Sequence, residues 1–175
     1  GYLGKIATQE VLPYLQRLLD DKDGRIIFYS LKAIAKKPRH DISPQLKKLA
    51  RHEDPRVRRQ VFQTLRHLPA RVTADFPDTA CTDADPLVRL AAAVALNKTG
   101  VCKDVFALSL KHPDFGVRSA AARVLGKFPH EDRLTLLTMA LKDDNSRVRT
   151  AAVRATGMMG GAAAFPLLLK MLDDP

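Results

Sequence analysis

Few residues in this 175-residue chain stand where covalent or metal chemistry would want them. Cys81 and Cys102 form no Cys-x-x-Cys pair and have no histidine at zinc-ligand spacing, so neither a disulfide framework nor a structural zinc is supported. A nucleophilic thiol also needs a neighbouring base, and no spaced histidine supplies one. Both cysteines therefore read as separate, ordinary thiols in a reducing, cytoplasmic compartment. Two His-Glu pairs, His52-Glu53 and His130-Glu131, come nearest to a metal-binding pattern. Nothing has the form of a phosphate loop or a catalytic triad, and no catalytic residue, metal or cofactor is expected. What the chain holds in quantity is positive charge: 29 Lys and Arg against 19 Asp and Glu, a net of +10. Residues 1–71 carry sixteen against seven, so nearly all of the excess lies in that stretch. A local excess of this size favours anionic partners such as nucleic acid, an acidic protein surface or anionic lipid.

The elements that position these cations belong to a repeat. Asp54-Pro55-Arg56-Val57-Arg58 returns as Asp85-Pro86-Leu87-Val88-Arg89, as Asp114-Phe115-Gly116-Val117-Arg118 and as Asn145-Ser146-Arg147-Val148-Arg149, with a degenerate first copy at Asp23-Gly24-Arg25-Ile26-Ile27. The anchors Ile26, Val57, Val88, Val117 and Val148 are spaced by 31, 31, 29 and 31 residues. Each copy reads as a helix start, with Asp or Asn as N-cap and proline at the first helical position in two of them. The anchor and the positions four and eight beyond it form an apolar face rich in alanine, which lets a neighbouring helix approach closely. A second helix precedes each of these, clearest over Thr8–Asp20, Ser43–His52, Asp104–Lys111 and Asp132–Lys142. Leu12, Leu15, Leu18 and Leu19 make one apolar face, and Leu134, Leu137 and Leu141 another. The third copy, Thr73–Ala84, has few large apolar residues and a proline at 77, which predicts a short or irregular helix. Composition agrees with a folded chain, at 46% hydrophobic residues. No run approaches the roughly 20 apolar residues of a membrane span.

The pattern Asp-Pro-x-Val-Arg-x-x-Ala-Ala, with Leu125-Gly126 closing one copy, resembles HEAT repeats. The period is most similar to the short subtype named after phycobilisome lyases. The resemblance implies an all-α, right-handed α-α superhelix of five helix pairs plus a trailing helix. It divides residues 1–175 into repeats at approximately 7–38, 41–69, 72–98, 101–128 and 131–159, with a partial unit at 161–175. Leu3-Gly4-Lys5-Ile6 matches Leu125-Gly126-Lys127-Phe128 in register 122 residues earlier, and Phe165-Pro166-Leu167 matches Leu12-Pro13-Tyr14. Both ends thus read as cut through repeats, as expected of a segment of a longer repeat protein.

Two sets of charged residues follow from the repeat phase. Arg58, Arg89, Arg118 and Arg149 follow the anchors, and Asp54, Asp85, Asp114 and Asn145 stand four residues earlier on the same helix face. The family resemblance implies that these pairs form a structural ladder tying adjacent repeats together. The second set stands six and ten residues past the anchors: Lys32, Gln63, Val94, Arg123 and Arg154, then Lys36, His67, Lys98, Lys127 and Met158. In HEAT-like proteins the second helices line the concave face, so these columns would form a basic stripe there, thickened by Arg59 and Arg66. First-helix cations such as Lys47 and Lys48 fall on the convex side and are expected to matter less. The stripe suits an acidic protein or peptide. It also suits nucleic-acid phosphates, though aromatics for base stacking are few. The His-Glu pairs resemble those of the HEAT-like deoxyhypusine hydroxylases, but His52 lies five residues before its anchor and His130 eighteen before its own, so they do not share a face. Bilin lyases and DNA glycosylases of similar fold are further alternatives. A protein-interaction scaffold is the leading expectation.

Overall fold

Five helices open on a side-chain cap at the repeat's own phase. Asp23, Asp54, Asp85, Asp114 and Asn145 each accept a hydrogen bond from the backbone N–H two residues on, at 2.7–2.9 Å. The helices they start are α2 (Gly24–Ile34), α4 (Pro55–Leu65), α6 (Pro86–Ala95), α8 (Phe115–Leu125) and α10 (Ser146–Met159). Shorter helices precede them: α1 (Leu12–Arg17), α3 (Ser43–Leu49), α7 (Asp104–Leu110) and α9 (Arg133–Leu141). Before α6 the described residues form α5 (Ala70–Thr73) and a five-residue 3₁₀ turn, Asp78–Thr82, matching the irregular third repeat expected from the sequence. The computed structural model describes residues 11–36, 42–73, 76, 78–96, 102, 104–127, 132–160, 164–166 and 169, and all regular structure among them is helical. Lys98, His130, Glu131 and the terminal matches at residues 3–6 lie outside the described residues, as does most of the partial sixth unit.

The chain forms two compact units, residues 1–102 and 103–175. In the first, α2, α4 and α6 pack successively against one another, with α1 on α2 and α3 on α4. In the second, α8 packs on α10, α7 on α8, and α9 against both α8 and α10. Val57, Val88, Val117 and Val148 are buried, and so are the positions four and eight beyond them. Alanine at 92, 121 and 152 keeps this layer thin. Gly126 shows how close the approach is: a Cβ there would lie 2.6 Å from Cα of Ala155 on the neighbouring helix.

Three sequence expectations are corrected in the packing. Ile26 is 38% exposed while Ile27 is buried in its stead, because the first copy carries isoleucine where the others carry arginine. Leu18 and Leu134 face outwards; Leu19 and the pair Leu136 and Leu137 supply the buried faces of their segments. Cys81 and Cys102 are not separate thiols but a disulfide, with Cα atoms 5.5 Å apart. That separation suits such a bridge, and cysteine usage then no longer argues for a reducing compartment.

Candidate interaction surface

The cations of the expected basic columns fall on exposed or half-exposed surface wherever they are described. In the first unit, Lys32 and Lys36 at the end of α2 are exposed, Arg59 on α4 is half-buried, and Arg66 and His67 just past α4 are exposed. At the third repeat the column passes through Val94, which is buried, so it is interrupted there. In the second unit Arg123, Lys127 and Arg154 are exposed, at or near the ends of α8 and along α10. The structure thus brings Lys32 and Arg59 to neighbouring helices of one unit, and Arg123 and Arg154 to neighbouring helices of the other.

Between α2 and α4 the basic surface acquires shape. A small cleft of about 180 Å³ is lined by Gly24, Arg25, Phe28, Tyr29, Asp54, Arg56 and Arg59. Phe28 and Tyr29 meet edge to face with centroids 5.2 Å apart, and the Lys32 ammonium stands 6.0 Å from the Phe28 ring centre. Two of the three arginines are partly committed: Arg25 pairs with Asp23 and Arg56 with Asp54, each Asp also capping its helix. Tyr29 is largely exposed, so the cleft offers an aromatic face, a phenol hydroxyl and the Arg59 guanidinium together.

The ladder exists, but its acceptors are not the capping residues. Arg58 donates from Nε and Nη2 to both carboxylate oxygens of Asp83, at 2.7 and 2.8 Å, 25 residues ahead. Its Nη1 donates to the carbonyls of His52 and Glu53, bracing its own inter-helix turn. Arg118 repeats the arrangement with Asp143 at 2.7 and 2.9 Å, adds Asp144, and braces the carbonyls of His112 and Pro113. Arg89 and Arg149 brace the carbonyls of residues 83–84 and 143–144. Asp54, Asp85 and Asp114 turn to their own helices, because an N-cap carboxylate is held by the first-turn amides. The reaching acid stands two residues before the cap.

That position runs Asp21, His52, Asp83, His112, Asp143, and each side chain accepts from the backbone N–H two residues on. Its constant phase was the signal available in the sequence. Asp83 and Arg58 are only 13–14% exposed. Burial pushes the Asp83 carboxyl up, but the hydrogen bonds from Arg58 and the Asp85 amide prevail and hold it below the ordinary 3.8. Hydrogen bonds from Arg118 likewise take Asp143 down to about 2. Their partners Arg58 and Arg118 are shifted up by the same contacts. These are structural struts, well satisfied and shielded from water.

No group of three or more His, Cys, Asp or Glu side chains among the described residues is arranged to hold a metal ion. No helix among them is long and apolar enough to cross a membrane. The family model of HEAT repeats matches residues 42–109 and 103–175. Two crystal structures of engineered proteins from the Northeast Structural Genomics Consortium are similar in fold at 18% identity. One has a TM-score of 0.52, covering 93% of this chain and 85% of that chain. The other has a TM-score of 0.55, covering 91% and 86%. Among curated proteins none matches the chain.

Proposed function

The chain belongs to the HEAT repeat family, and on that premise we propose that it is a non-catalytic scaffold binding an acidic protein or peptide through the cations of its second helices. A repeat scaffold is what the fold provides: stacked helix pairs whose surface residues vary without disturbing the core. The observation that carries the finer reading is the cleft between α2 and α4, where Arg59 lies beside Phe28 and Tyr29 and Lys32 stands over Phe28. A carboxylate side chain entering there would meet a guanidinium fork and a phenol hydroxyl, with an aromatic wall for the aliphatic part of its chain. Lys36, Arg66 and His67 extend the basic surface in the first unit. Arg123, Lys127 and Arg154 form a second patch in the other unit, and Lys98 belongs to the same sequence column.

Nucleic acid is the second reading, favoured by the same exposed Tyr29 beside arginine, since a base can stack on an aromatic ring. One experiment separates them. The chain and its Lys32→Glu/Lys36→Glu/Arg123→Glu/Lys127→Glu variant are titrated with poly-glutamate and with a twenty-nucleotide dT strand at several salt concentrations. Saturable glutamate binding that the variant loses supports the protein scaffold. A steep log-log salt slope on dT with little glutamate binding supports nucleic acid. Reversal of Lys111 and Lys142, exposed on turns of the second unit, serves as the control. Equal losses from both sets would reduce the stripe to bulk charge.

A further inference from the structure

We propose that the space left by the third repeat's missing first helix is a second docking groove, and that it takes an acidic segment of the partner protein. In the second unit the first helices α7 and α9 pack directly on one another. Beside α3 in the first unit, the described residues at the corresponding place form the 3₁₀ turn Asp78–Thr82. The cause is in the sequence: residues 73–84 hold three aspartates, Asp75, Asp78 and Asp83, together with Pro77 but few large apolar side chains, a composition that does not give an amphipathic helix. The result is a groove of about 920 Å³ between α3 and that turn. Lys47, Lys48 and Arg51 line it from the α3 side, Arg58 and Phe62 from α4, and Ala80 and Asp83 from the turn.

The charges in the groove select its occupant. Asp83 is engaged by both arms of Arg58, so that pair presents little net field. Lys48 pairs with Asp20 at 2.7 Å, but both side chains are more than half exposed, and such a bridge exchanges readily for another carboxylate. Arg51 adds a guanidinium fork one helical turn beyond Lys47. Glu53 is the remaining acid on the lining, leaving the α3 wall cationic. Ala50 and Ala80 leave room for a small apolar side chain between the walls. Nucleic acid fits less well: Phe62 is fully buried against Phe76, the His52 ring is tied to the Asp54 N–H, and two carboxylates stand in the lining. A second copy of this chain, at a net charge of +10, would bring like charge to the groove. An acidic segment with occasional small apolar residues matches it.

This inference rests on the reading of the chain as a protein-binding scaffold, and its test keeps the two separable. The probe is a fluorescein-labelled helical peptide of Glu, Ala and Leu, with a Gln-for-Glu counterpart, titrated by anisotropy against the full chain. In the background of the α2/α4 variant Lys32→Glu/Lys36→Glu/Arg59→Glu, which removes the site of the proposed function, adding the groove changes Lys47→Glu/Lys48→Glu/Arg51→Glu is expected to weaken the remaining binding tenfold or more. On the unaltered chain, the peptide should shift the backbone amide resonances of Ala50, Arg51 and Ala80, a readout independent of variant folding. Loss confined to the α2/α4 variant would overturn the groove and leave the proposed function standing. Equal binding of the Gln counterpart, or tighter binding of a dT strand at the same amides, would overturn the groove as an acidic-peptide site. Indifference to both variants would overturn both readings.

Discussion

The strut between Arg118 and Asp143 carries a quantity that pH can read. Asp143 titrates at about 2 in the folded chain against an ordinary 3.8, a depression caused first by the Arg118 hydrogen bonds. At 1.36 kcal/mol per pKa unit, that is about 2 kcal/mol of stability for the second unit. The sign follows from the direction. A carboxylate whose folded pKa lies below its unfolded one contributes fully above the unfolded value, and the contribution fades as pH falls from about 3.8 towards about 2. The pair is 10–13% exposed on its side chains, so solvent screening removes little of it. Asp143→Asn keeps the shape and one acceptor oxygen while removing the charge. Urea unfolding followed by far-ultraviolet circular dichroism should show the variant less stable by about 2 kcal/mol at pH 7. The two proteins should converge as pH is lowered through that window. A penalty of the same size at pH 7 and pH 2.5 would mean that packing, not charge, had been lost, and the strut argument would fail.

The other predictions follow from contacts equally local. Cys81 and Cys102 are 21 residues apart in sequence, and closing a loop of that length stabilises by about 3 kcal/mol in the chain-entropy account; reductant, or a double change to serine, should lower the urea midpoint of the first unit, and intact-mass analysis of alkylated protein should find no free thiol before reduction. Gly126→Ala should cost about 1–3 kcal/mol, because its methyl group would strike the Ala155 backbone. Gly157→Ala, in the interior of α10 with nothing within 4 Å of its added methyl, should raise stability by about 0.5–1 kcal/mol. Thermal melts of the two glycine variants side by side would expose any error in the packing of α8 on α10, since that packing predicts opposite signs.

Much of the fold was legible because it repeats. A residue pattern seen once is weak evidence, whereas the cap, the anchor and the alanines recurring at near-constant spacing fix the helices and their buried faces together. The gaps in that reading have physical causes. By phase Ile26 is the anchor, but Ile27 beside it is equally apolar, and periodicity cannot choose between adjacent isoleucines. A shared helix face points from the arginines to Asp54, Asp85 and Asp114 as the ladder's acids. A cap carboxylate, however, is already occupied by its own helix, while Asp83 and Asp143, two residues before the caps Asp85 and Asn145, are aimed at the preceding repeat. The Cys81–Cys102 bridge had no local signature, since its partners meet through the irregular path of the third repeat. The basic columns were legible as positions; the cleft beside Phe28 and the groove beside α3 depend on side-chain packing and on a missing helix, and neither has a sequence motif.

The alternation of Asp and His along the acceptor position gives the stack a rhythm of its own. In a linear array each repeat is held by its neighbours, and the least coupled boundary opens first. Arg58 ties the second repeat to the third, and Arg118 ties the fourth to the fifth, each through a bidentate carboxylate contact. Between α2 and α4 the same column offers Ile27 and His52, which cannot make such a tie. Local opening is therefore expected in blocks: α4 with α6 as one cooperative element and α8 with α10 as another, while α2 frays on its own. Within the first unit, the helix that carries Lys32, Phe28 and Tyr29 is then the most yielding, and a partner that grips it would be steadying the least braced helix there.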